Sequence, residues 1–329
     1  MLKPMASVSF DLDNLWSYQQ THGDAEWRRY GSYLPVLMPP LLECLARASC
    51  AITFFVVGAD AVREENLAAL QMIPAHGHEV GNHSFNHECW LQLYSKAQLE
   101  EELERAEAAL LAATGQRPLG FRGPGYSWSP TLLEVLAQRG YLYDASTLPT
   151  YLGPLARAYF LRSTRMTKEE RQQRQGLFGP FRNGFRPVRP YQWRLPDGRT
   201  LLEIPVTTMP VLKLPFHLSY LLYLAGTSER LMYAYLNAAI ALCRMARLEP
   251  SFLLHPLDVL GRDQVPQLAF FPGMDMPGAR KQRILAGVLD LLATHYRLVP
   301  MGVHARALTG GRQLRWMEPN LTVQEETVQ

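Results

Sequence analysis

Short apolar runs alternate with amphipathic segments along much of this chain of 329 residues. The run from Ile52 to Val57 (ITFFVV) is continuous and is followed by Gly58, as expected for a parallel strand that is covered on both faces. Shorter runs predict further strands at residues 7–11, 119–122, 141–144, 201–206 and 251–255. Strands that alternate with helices predict an α/β fold with a parallel sheet.

The clearest predicted helix extends from Ser95 to Thr114. Ser95 and Gln98 have the spacing of a capping box, and Gly115 suits the left-handed position that ends many helices. A second helix is predicted to begin at Ser129-Pro130 and to end at Gly140. The pattern predicts other helices at residues 39–48, 60–73, 228–246 and 279–294, and a loop rich in substrate contacts at residues 12–35.

We expect one domain over residues 1–310. Residues 150–200 are rich in Arg, Pro and Gly and interrupt the alternation, so they predict an inserted basic loop or cap. An apolar helical segment follows at residues 209–246. Residues 311–329 are polar and are predicted to form a flexible tail.

The hydrophobic content of 47% is typical of a soluble globular protein, and the net charge of +3 indicates no particular partner. The charge is unevenly distributed, because residues 157–199 contain eleven Lys and Arg against three acids. These arginines lie among prolines and glycines without a recognition fold, which argues against nucleic acid. Four cysteines without a CxxC pair favour a reducing compartment. With no leader pattern and no run long enough to span a bilayer, the expected location is the cytoplasm, with membrane association as a further option.

Two histidines, His83 and His87, lie four residues apart. On a helical turn this spacing places both imidazoles on one face, where they can bind one ion. Zinc and similar metals usually need a third protein ligand, often a carboxylate, and an open position for water. Exposed or core histidines are commoner than ligands, so this spacing alone is weak.

Asp11 and Asp13 can supply the carboxylates. Residues two apart on a strand point to the same side, so Asp13 can join the histidines as a ligand while Asp11 acts as a base. The competing interpretation of an isolated Asp-x-Asp is a helix cap or a solvated turn.

Two further strand ends carry polar residues. Arg122 to Tyr126 (RGPGY) is a loop in which the backbone can approach a ligand closely and Arg122 can hold a carboxylate, although a surface turn with a salt bridge is the simpler alternative. His255 ends an apolar strand and can act as an acid or a base, oriented by Asp144 or Asp258. A hydrogen-bonded histidine at the edge of the core is its alternative.

Taken together and in this order, the four motifs resemble those of the polysaccharide deacetylase family (NodB homology, carbohydrate esterase family 4). The resemblance covers residues 7–148 and 251–304. The matching motifs are Phe10-Asp11-Leu12-Asp13, His83 to His87, Arg122 to Tyr126 and Leu253 to His255.

The resemblance implies a distorted (β/α)7-type barrel and a metal-dependent hydrolase that removes an N-acetyl or N-formyl group from an amino sugar. It implies a divalent metal, zinc by default with cobalt, nickel or manganese as alternatives, held by Asp13, His83 and His87. It makes Asp11 the base for the metal-activated water and Arg122 the tether of Asp11. It makes the backbone N–H of Tyr126 a donor to the oxyanion and His255 the acid for the leaving amine.

Two departures from the family pattern affect these expectations. Leu12 separates the two acids of the first motif, which are usually adjacent, and this variant is similar to the branch that contains the lipid-linked aminoarabinose deformylase. The region of the fourth motif, around Asp144, lacks the usual Trp, so the partner of His255 stays open between Asp144 and Asp258.

The basic and aromatic insertion predicts binding of a phosphate or diphosphate, and the apolar segment after it predicts contact with lipid headgroups. The alternative is that the arginines pair with acids and the apolar segment is core. The candidate substrate contacts are Asn14, Trp16, Pro124, Trp128, Asp144, Arg182, Arg186 and Trp193. The alternative functions are a hydrolase of small cyclic amides or ureides and a non-catalytic sugar- or lipid-binding relative. Retention of Asp11, Arg122 and His255 favours an enzyme over the non-catalytic relative.

Overall fold

The structure contains a central ten-stranded sheet, most of whose strands are parallel. It is a computed structural model that describes residues 3–163, 166–177, 179–311 and 313–319. The first half of the chain contributes β1 (Met5–Leu12), α1 (Leu15–Thr21), α2 (Leu34–Arg47), β2 (Thr53–Val56), α3 (Gly58–Ala61), α4 (Glu64–Ala75), β3 (Glu79–Asn82), α5 (Lys96–Thr114), β4 (Gly120–Phe121) and α6 (Pro130–Gln138). The second half contributes β5 (Tyr143–Asp144), α7 (Gly153–Ser163), α8 (Lys168–Gln173), β6 (Tyr191–Arg194), β7 (Thr200–Glu203), α9 (Leu218–Thr227), α10 (Glu229–Met245), β8 (Ser251–Leu254), α11 (Gly278–His295), β9 (Arg297–Val299), α12 (Met301–Thr309) and β10 (Arg315–Met317).

Seven of the strands close into a barrel. Parallel pairing runs in the order β7-β5-β4-β3-β2-β1-β8. The ring closes after β7, where the Thr207 N–H donates to the Ser251 carbonyl at 3.0 Å and the Ser251 N–H donates to Thr207 Oγ1 at 2.8 Å. The predicted α/β fold and distorted (β/α)7-type barrel are therefore confirmed. All seven strands point the same way, so their carboxyl ends share one rim.

Alternation along β1 separates the core from the site. Ala6, Val8, Phe10 and Leu12 are fully buried and belong to the main apolar cluster with side chains of the surrounding helices. Ser9 and Asp11 point to the opposite face, where both accept hydrogen bonds from Arg122. A strand covered on both faces can thus carry polar groups inward without opening the core.

The predicted helix boundaries at residues 95–115 and 129–140 are confirmed. Ser95 and Gln98 form a reciprocal capping box at the start of α5, and Gly115 ends the helix with φ of 70°. Ser129 accepts a hydrogen bond from the Leu132 N–H at 3.1 Å and starts α6. These ends depend on local chemistry, which explains why the sequence pattern located them.

Two predictions about local structure were wrong. Residues 12–35 are not one loop, because they contain α1, a 3-10 turn at Trp27–Arg29 and the start of α2. Asn14 supplies the missing start signal, as its side chain accepts the Leu15 N–H at 2.8 Å. The helix predicted at 60–73 is divided into α3 and α4, which are separated at residues 62–63.

The predicted insertion is more structured than a loop. It contains α7, α8 and β6, and β6 pairs antiparallel with β7. Within the predicted flexible tail, β10 pairs in parallel with β6 and extends the sheet. The remainder of that tail, residues 312 and 320–329, lies outside the described residues. The single-domain boundary at residue 310 stays a prediction.

The apolar segment at 209–246 is largely core. Helices α9 and α10 bury an apolar stripe in the main cluster, formed by Leu218, Leu221, Leu222, Ala225, Met232, Leu236, Ala239, Ile240 and Cys243. This favours the core interpretation of the two helices over lipid contact. Among the described helices, none has both the length and the apolar character needed to cross a membrane.

Candidate metal centre

The carboxyl ends of four strands bring the predicted residues together. Asp13 follows β1, His83 follows β3, Arg122 follows β4 and His255 follows β8, while Asp11 is the second-last residue of β1. Because these strands are parallel members of one barrel, the five side chains lie at the same rim.

Asp13, His83 and His87 form a compact group of possible ligands. Asp13 Oδ1 lies 3.2 Å from His83 Nε2 and 2.9 Å from His87 Nε2, and the three ligand atoms lie within 4.8 Å of one another. All three side chains are buried. Two imidazole nitrogens and one carboxylate oxygen suit zinc and neighbouring divalent metals, so the residues fit the implied cofactor.

The two histidines converge through a loop and not through a helical turn, so that part of the prediction was wrong. Ser84 and His87 have positive φ values of 64° and 54°. Glu102 of α5 supports the loop by accepting hydrogen bonds from the backbone N–H groups of Phe85 and Asn86 at 2.8 and 2.6 Å. The sequence analysis did not identify Glu102. An acidic residue among the apolar positions of α5 that face the core could have indicated that it supports a buried polar segment.

The hydrogen bonds of His83 indicate its tautomer. His83 Nδ1 lies 2.7 Å from the Arg122 carbonyl, which can only accept, so Nδ1 carries the proton and Nε2 faces Asp13. Among the described residues, His87 Nδ1 is buried without a hydrogen-bond partner. Burial opposes ionisation of Asp13, but His87 and His83 outweigh it and hold the pKa of its carboxyl well below the usual range.

Arg122 holds Asp11 in place. Its Nη1 donates to Asp11 Oδ1 at 2.7 Å and to Ser9 Oγ at 2.8 Å, and its Nε donates to the Ala145 carbonyl at 3.0 Å. The guanidinium carbon lies 4.4 Å from the centre of the Phe55 ring. Arg122 is 0% exposed and Asp11 is 5% exposed, so the ion pair has a fixed geometry away from bulk water. The predicted contact between Arg122 and Asp11 is present.

His255 faces Asp11 from the neighbouring strand, with its Nε2 at 3.9 Å from Asp11 Oδ2. Of its two candidate partners, Asp258 is the one beside it, because Asp258 Oδ2 accepts the His255 backbone N–H at 2.8 Å. Burial disfavours the charged imidazolium, but Asp258, Asp11 and Asp13 outweigh it and raise the pKa of His255 to about 9. The surrounding carboxylates therefore favour the protonated imidazolium.

Asp144 belongs to a second buried network. It lies opposite Glu203 on β7, and the Ser146 hydroxyl donates to it at 2.6 Å while accepting the Gly123 N–H at 2.8 Å. Burial and the neighbouring Asp144 raise the pKa of Glu203 well above its usual value, so this pair retains a proton. Asp144 thus supports the loop that begins after Arg122.

The remaining predicted substrate contacts fall into two groups. Asn14, Trp16, Pro124, Asp144 and Trp193 are buried. Asn14 and Trp16 both donate to the carboxylate of Asp60, at 2.7 and 2.8 Å, and Trp193 donates to Glu203 at 3.0 Å. Trp128, Arg182 and Arg186 are partly or fully exposed, and the guanidinium of Arg186 lies 4.4 Å from the Trp128 ring centre. The exposed group offers the better candidates for contact with a ligand.

The backbone N–H of Tyr126, which the resemblance implies as an oxyanion donor, is already engaged. It donates to the Gly123 carbonyl at 3.0 Å. Gly125 and Tyr126 both have positive φ, at 60° and 62°. In this conformation the loop turns back on itself, so an oxyanion role for this N–H requires the turn to open.

Two imidazoles and a carboxylate at the rim of a parallel barrel form a candidate site for a divalent metal ion. Comparison with known proteins shows which family part of the chain resembles. Residues 24–143 match the family model of the polysaccharide deacetylases. The match contains the His83–His87 motif and the Arg122 loop, whereas Asp11, Asp13 and His255 lie outside it. The resemblance to the polysaccharide deacetylase family is therefore confirmed, while the narrower deformylase branch stays a prediction.

Curated relatives match part of the chain. A peptidoglycan deacetylase of Helicobacter pylori is 30% identical over 111 residues, which cover 34% of this chain and 37% of that protein. A chitooligosaccharide deacetylase of Sinorhizobium fredii is 32% identical over 107 residues, which cover 32% of this chain and 48% of that protein. The chain thus spans less than half the length of these two relatives.

A solved structure supports the fold over the whole chain. A protein of Mycobacterium smegmatis assigned as a polysaccharide deacetylase superposes with a TM-score of 0.59, covering 99% of this chain and 100% of its own. Its sequence identity is 20%, so the likeness bears on the barrel and not on the substrate.

Proposed function

We propose that this chain is a metal-dependent amidohydrolase that removes an N-acetyl or N-formyl group from an amino sugar. The observation that carries the proposal is the placement of Asp13, His83 and His87 beside the row formed by Arg122, Asp11 and His255. A ligand group next to a tethered carboxylate and a charged imidazole is what hydrolysis of an amide requires. A non-catalytic relative has no evident need for all three of Asp11, Arg122 and His255.

Asp13, His83 and His87 would hold the metal. When bound, a divalent ion supplies a Lewis acid and lowers the pKa of water toward ~7. The chain prepares the ligands for this task, because the Arg122 carbonyl fixes the tautomer of His83 and Glu102 braces the loop that carries His87.

Asp11 is the proposed general base. As water attacks the amide carbon and a C–O bond forms, Asp11 accepts the proton that the water releases. Arg122 occupies Asp11 Oδ1, so Oδ2 is the oxygen that faces the reacting groups and His255. Because Arg122 is tied to Ser9 and Ala145, the carboxylate does not need to reorganise during the reaction.

His255 is the proposed general acid. An amine is a poor leaving group, so the C–N bond breaks as His255 Nε2 gives its proton to the nitrogen. A pKa of about 9 keeps that proton in place at neutral pH. Activity should therefore fall as the pH rises through the pKa of His255.

The direct test is release of acetate or formate from N-acylated amino sugars and their oligosaccharides by the purified protein. We expect release that falls by a factor of about 100 or more after dialysis against a chelator and returns with added zinc. Cyclic amides and ureides, assayed in parallel, test the runner-up activity. Hydrolysis of ureides with no release from any sugar would contradict the proposal.

We further propose that the sugar is presented on a phosphate-bearing lipid. Support comes from a surface that we call the basic–apolar patch, formed by Phe181, Arg182, Phe185, Val211, Leu212 and Lys213. Val211 and Phe185 are 88% and 72% exposed. Lys213 Nζ donates to the Arg186 carbonyl and so joins the two segments of the patch. Residues 179–189 and 209–217 contain no acidic residue. Exposed apolar groups beside unpaired positive charge suit an anionic bilayer surface.

Most arginines of the insertion that the structure describes do not pair with acids, which was the predicted alternative. Among the described residues of the insertion, Arg199 is the arginine with a carboxylate partner, Asp197. Arg174 and Arg189 donate to backbone carbonyls, and Arg186 and Arg194 lie over tryptophan rings. Much of the positive charge is thus available to an external anion.

A flotation assay tests the lipid proposal. The protein should float with vesicles rich in phosphatidylglycerol and remain in the dense fraction with neutral phosphatidylcholine vesicles. A Phe185→Ser, Val211→Ser double variant should lose most of this association, whereas Val62→Ser, at a position that is 63% exposed elsewhere, should keep it. No association of the wild type with either vesicle would remove the membrane contact and leave the hydrolase proposal intact.

A further inference from the structure

The amino end of α9 forms a wall of the site that no motif indicated. His217 and Ser219 lie at this end, and their side chains approach His255. Ser219 Oγ lies 3.2 Å from His255 Nδ1, and the ring centres of His217 and His255 are 5.9 Å apart. The helix has a fixed position, because Leu218 and Leu221 are fully buried in the main core.

Asp258 does not make the hydrogen bond that its position beside His255 suggests. Its Oδ2 already accepts the backbone N–H of His255 at 2.8 Å. The same oxygen is 3.7 Å from His255 Nδ1, beyond normal hydrogen-bond length. Asp258 therefore supplies negative charge and shapes the turn, whereas the Ser219 hydroxyl lies within hydrogen-bond distance of Nδ1.

We propose that Ser219 is the positioning residue of the general acid. Its hydroxyl oxygen accepts the Nδ1–H of the His255 imidazolium, which directs Nε2 toward Asp11 and the leaving nitrogen. Without this contact the ring can rotate about its side-chain bonds, since it is partly exposed. This inference rests on the proposed hydrolase function, but it concerns the orientation and protonation of His255 and can be measured separately.

The charges around His255 decide what a change at Ser219 does. Asp11 and Asp13 face it from β1, and Asp258 from its own turn. His217 faces it from α9 but is neutral, because burial and the nearby His255 lower its pKa to about 3. Ser219→Ala leaves all of these charges in place and removes one acceptor of the imidazolium. The pKa of His255 should therefore fall, but not to the value of a free histidine.

Histidine-selective NMR titration gives a readout that does not require turnover. In Ser219→Ala the pKa of His255 should fall by about one unit, as expected for a lost hydrogen bond to a charged group. The upper limb of the pH–rate profile should move down with it, because a larger fraction of the acid is deprotonated at a given pH. At neutral pH most of the acid stays protonated, so there the loss of ring orientation should lower kcat about tenfold, with KM within about twofold.

Three further variants control the experiment. Ser219→Thr keeps a hydroxyl and should recover most of the pKa and of kcat. Ser219→Cys keeps the size of the side chain but forms a much weaker hydrogen bond, so it should lower the pKa of His255 and kcat as Ser219→Ala does. It replaces Ser219→Ala in the experiment if that variant folds poorly. Tyr223→Ala removes a side chain of the same helix that is 75% exposed, and should leave the His255 titration unchanged.

The outcomes separate this inference from the function on which it rests. If the wild type hydrolyses no N-acyl sugar but Ser219→Ala still lowers the pKa of His255, the proposed function fails and the contact stands. If Ser219→Ala and Ser219→Cys both leave the pKa of His255 unchanged and kcat within twofold of the wild type, Ser219 has no positioning role. Equal losses in Ser219→Thr and Ser219→Ala would also overturn it, since the hydroxyl would then be irrelevant.

Discussion

Asp11→Asn is expected to keep the metal and to lose turnover by a factor of about 10²–10⁴, the range for removal of a general base. Asparagine has nearly the same shape, and its amide oxygen can still accept from Arg122 at the position of Asp11 Oδ1. Its amide nitrogen then takes the place of Oδ2 and has no basic lone pair for the proton of the attacking water. Fold and ligand group should therefore survive while proton removal does not.

Metal content by mass spectrometry and acyl release from the same preparations measure this effect. Asp290→Asn makes the same chemical change at an exposed position of α11 and serves as the matched control. A fully active Asp11→Asn protein would show that Asp11 is not the base. Loss of metal together with activity would instead indicate that Asp11 contributes to the ligand group.

His83→Ala is expected to reduce bound zinc from about one ion per chain to a small fraction of that. The change removes one of three protein ligands and leaves Asp13 and His87 alone to bind the ion. The effect on stability should be equally clear. At a zinc concentration of ~100 times Kd, binding contributes about 2.7 kcal/mol to the folded state, or about 4 °C in melting temperature for a chain of this size. The variant should lose most of this zinc-dependent rise.

His76→Ala provides the comparison for that experiment, because His76 is an exposed histidine whose ring contacts the Met72 carbonyl of its own helix. It should bind zinc and respond to it as the wild type does. If His83→Ala retained one zinc per chain and the full rise in melting temperature, the proposed ligand group would be wrong. The hydrolytic mechanism would then lose its Lewis acid.

Much of the architecture was predictable because it depends on short-range chemistry. The buried strand at residues 52–57, the capping box at Ser95 and the stop at Gly115 are each recorded in a few adjacent residues. The same holds for the position of the candidate site. Asp13, Arg122 and His255 each follow an apolar run, and parallel strands collect their carboxyl ends at one rim. The strand that precedes His83, Glu79–Asn82, is not an apolar run and was not predicted.

The supporting contacts were not predictable, since their partners are distant in sequence and chemically ordinary. Glu102 lies in a helix and accepts from the His83–His87 loop, and Ser219 lies in a segment whose composition indicated only an apolar helix. Asp144 looked equivalent to Asp258 as a partner for His255 until the pairing of β5 with β7 placed it opposite Glu203. The helical turn expected for His83 and His87 was replaced by a loop with positive φ values.

The sequence by itself indicated which residues are candidates for the chemistry and the order in which they follow one another along the chain, because both follow from residue type and periodicity. Only the tertiary structure decided how those residues are oriented. Orientation depends on hydrogen bonds between segments that are far apart in the sequence. The bond from Arg122 to Asp11, for example, joins residues more than 100 positions apart. Such bonds form only after the barrel has closed and excluded water, so no local pattern in the chain records them.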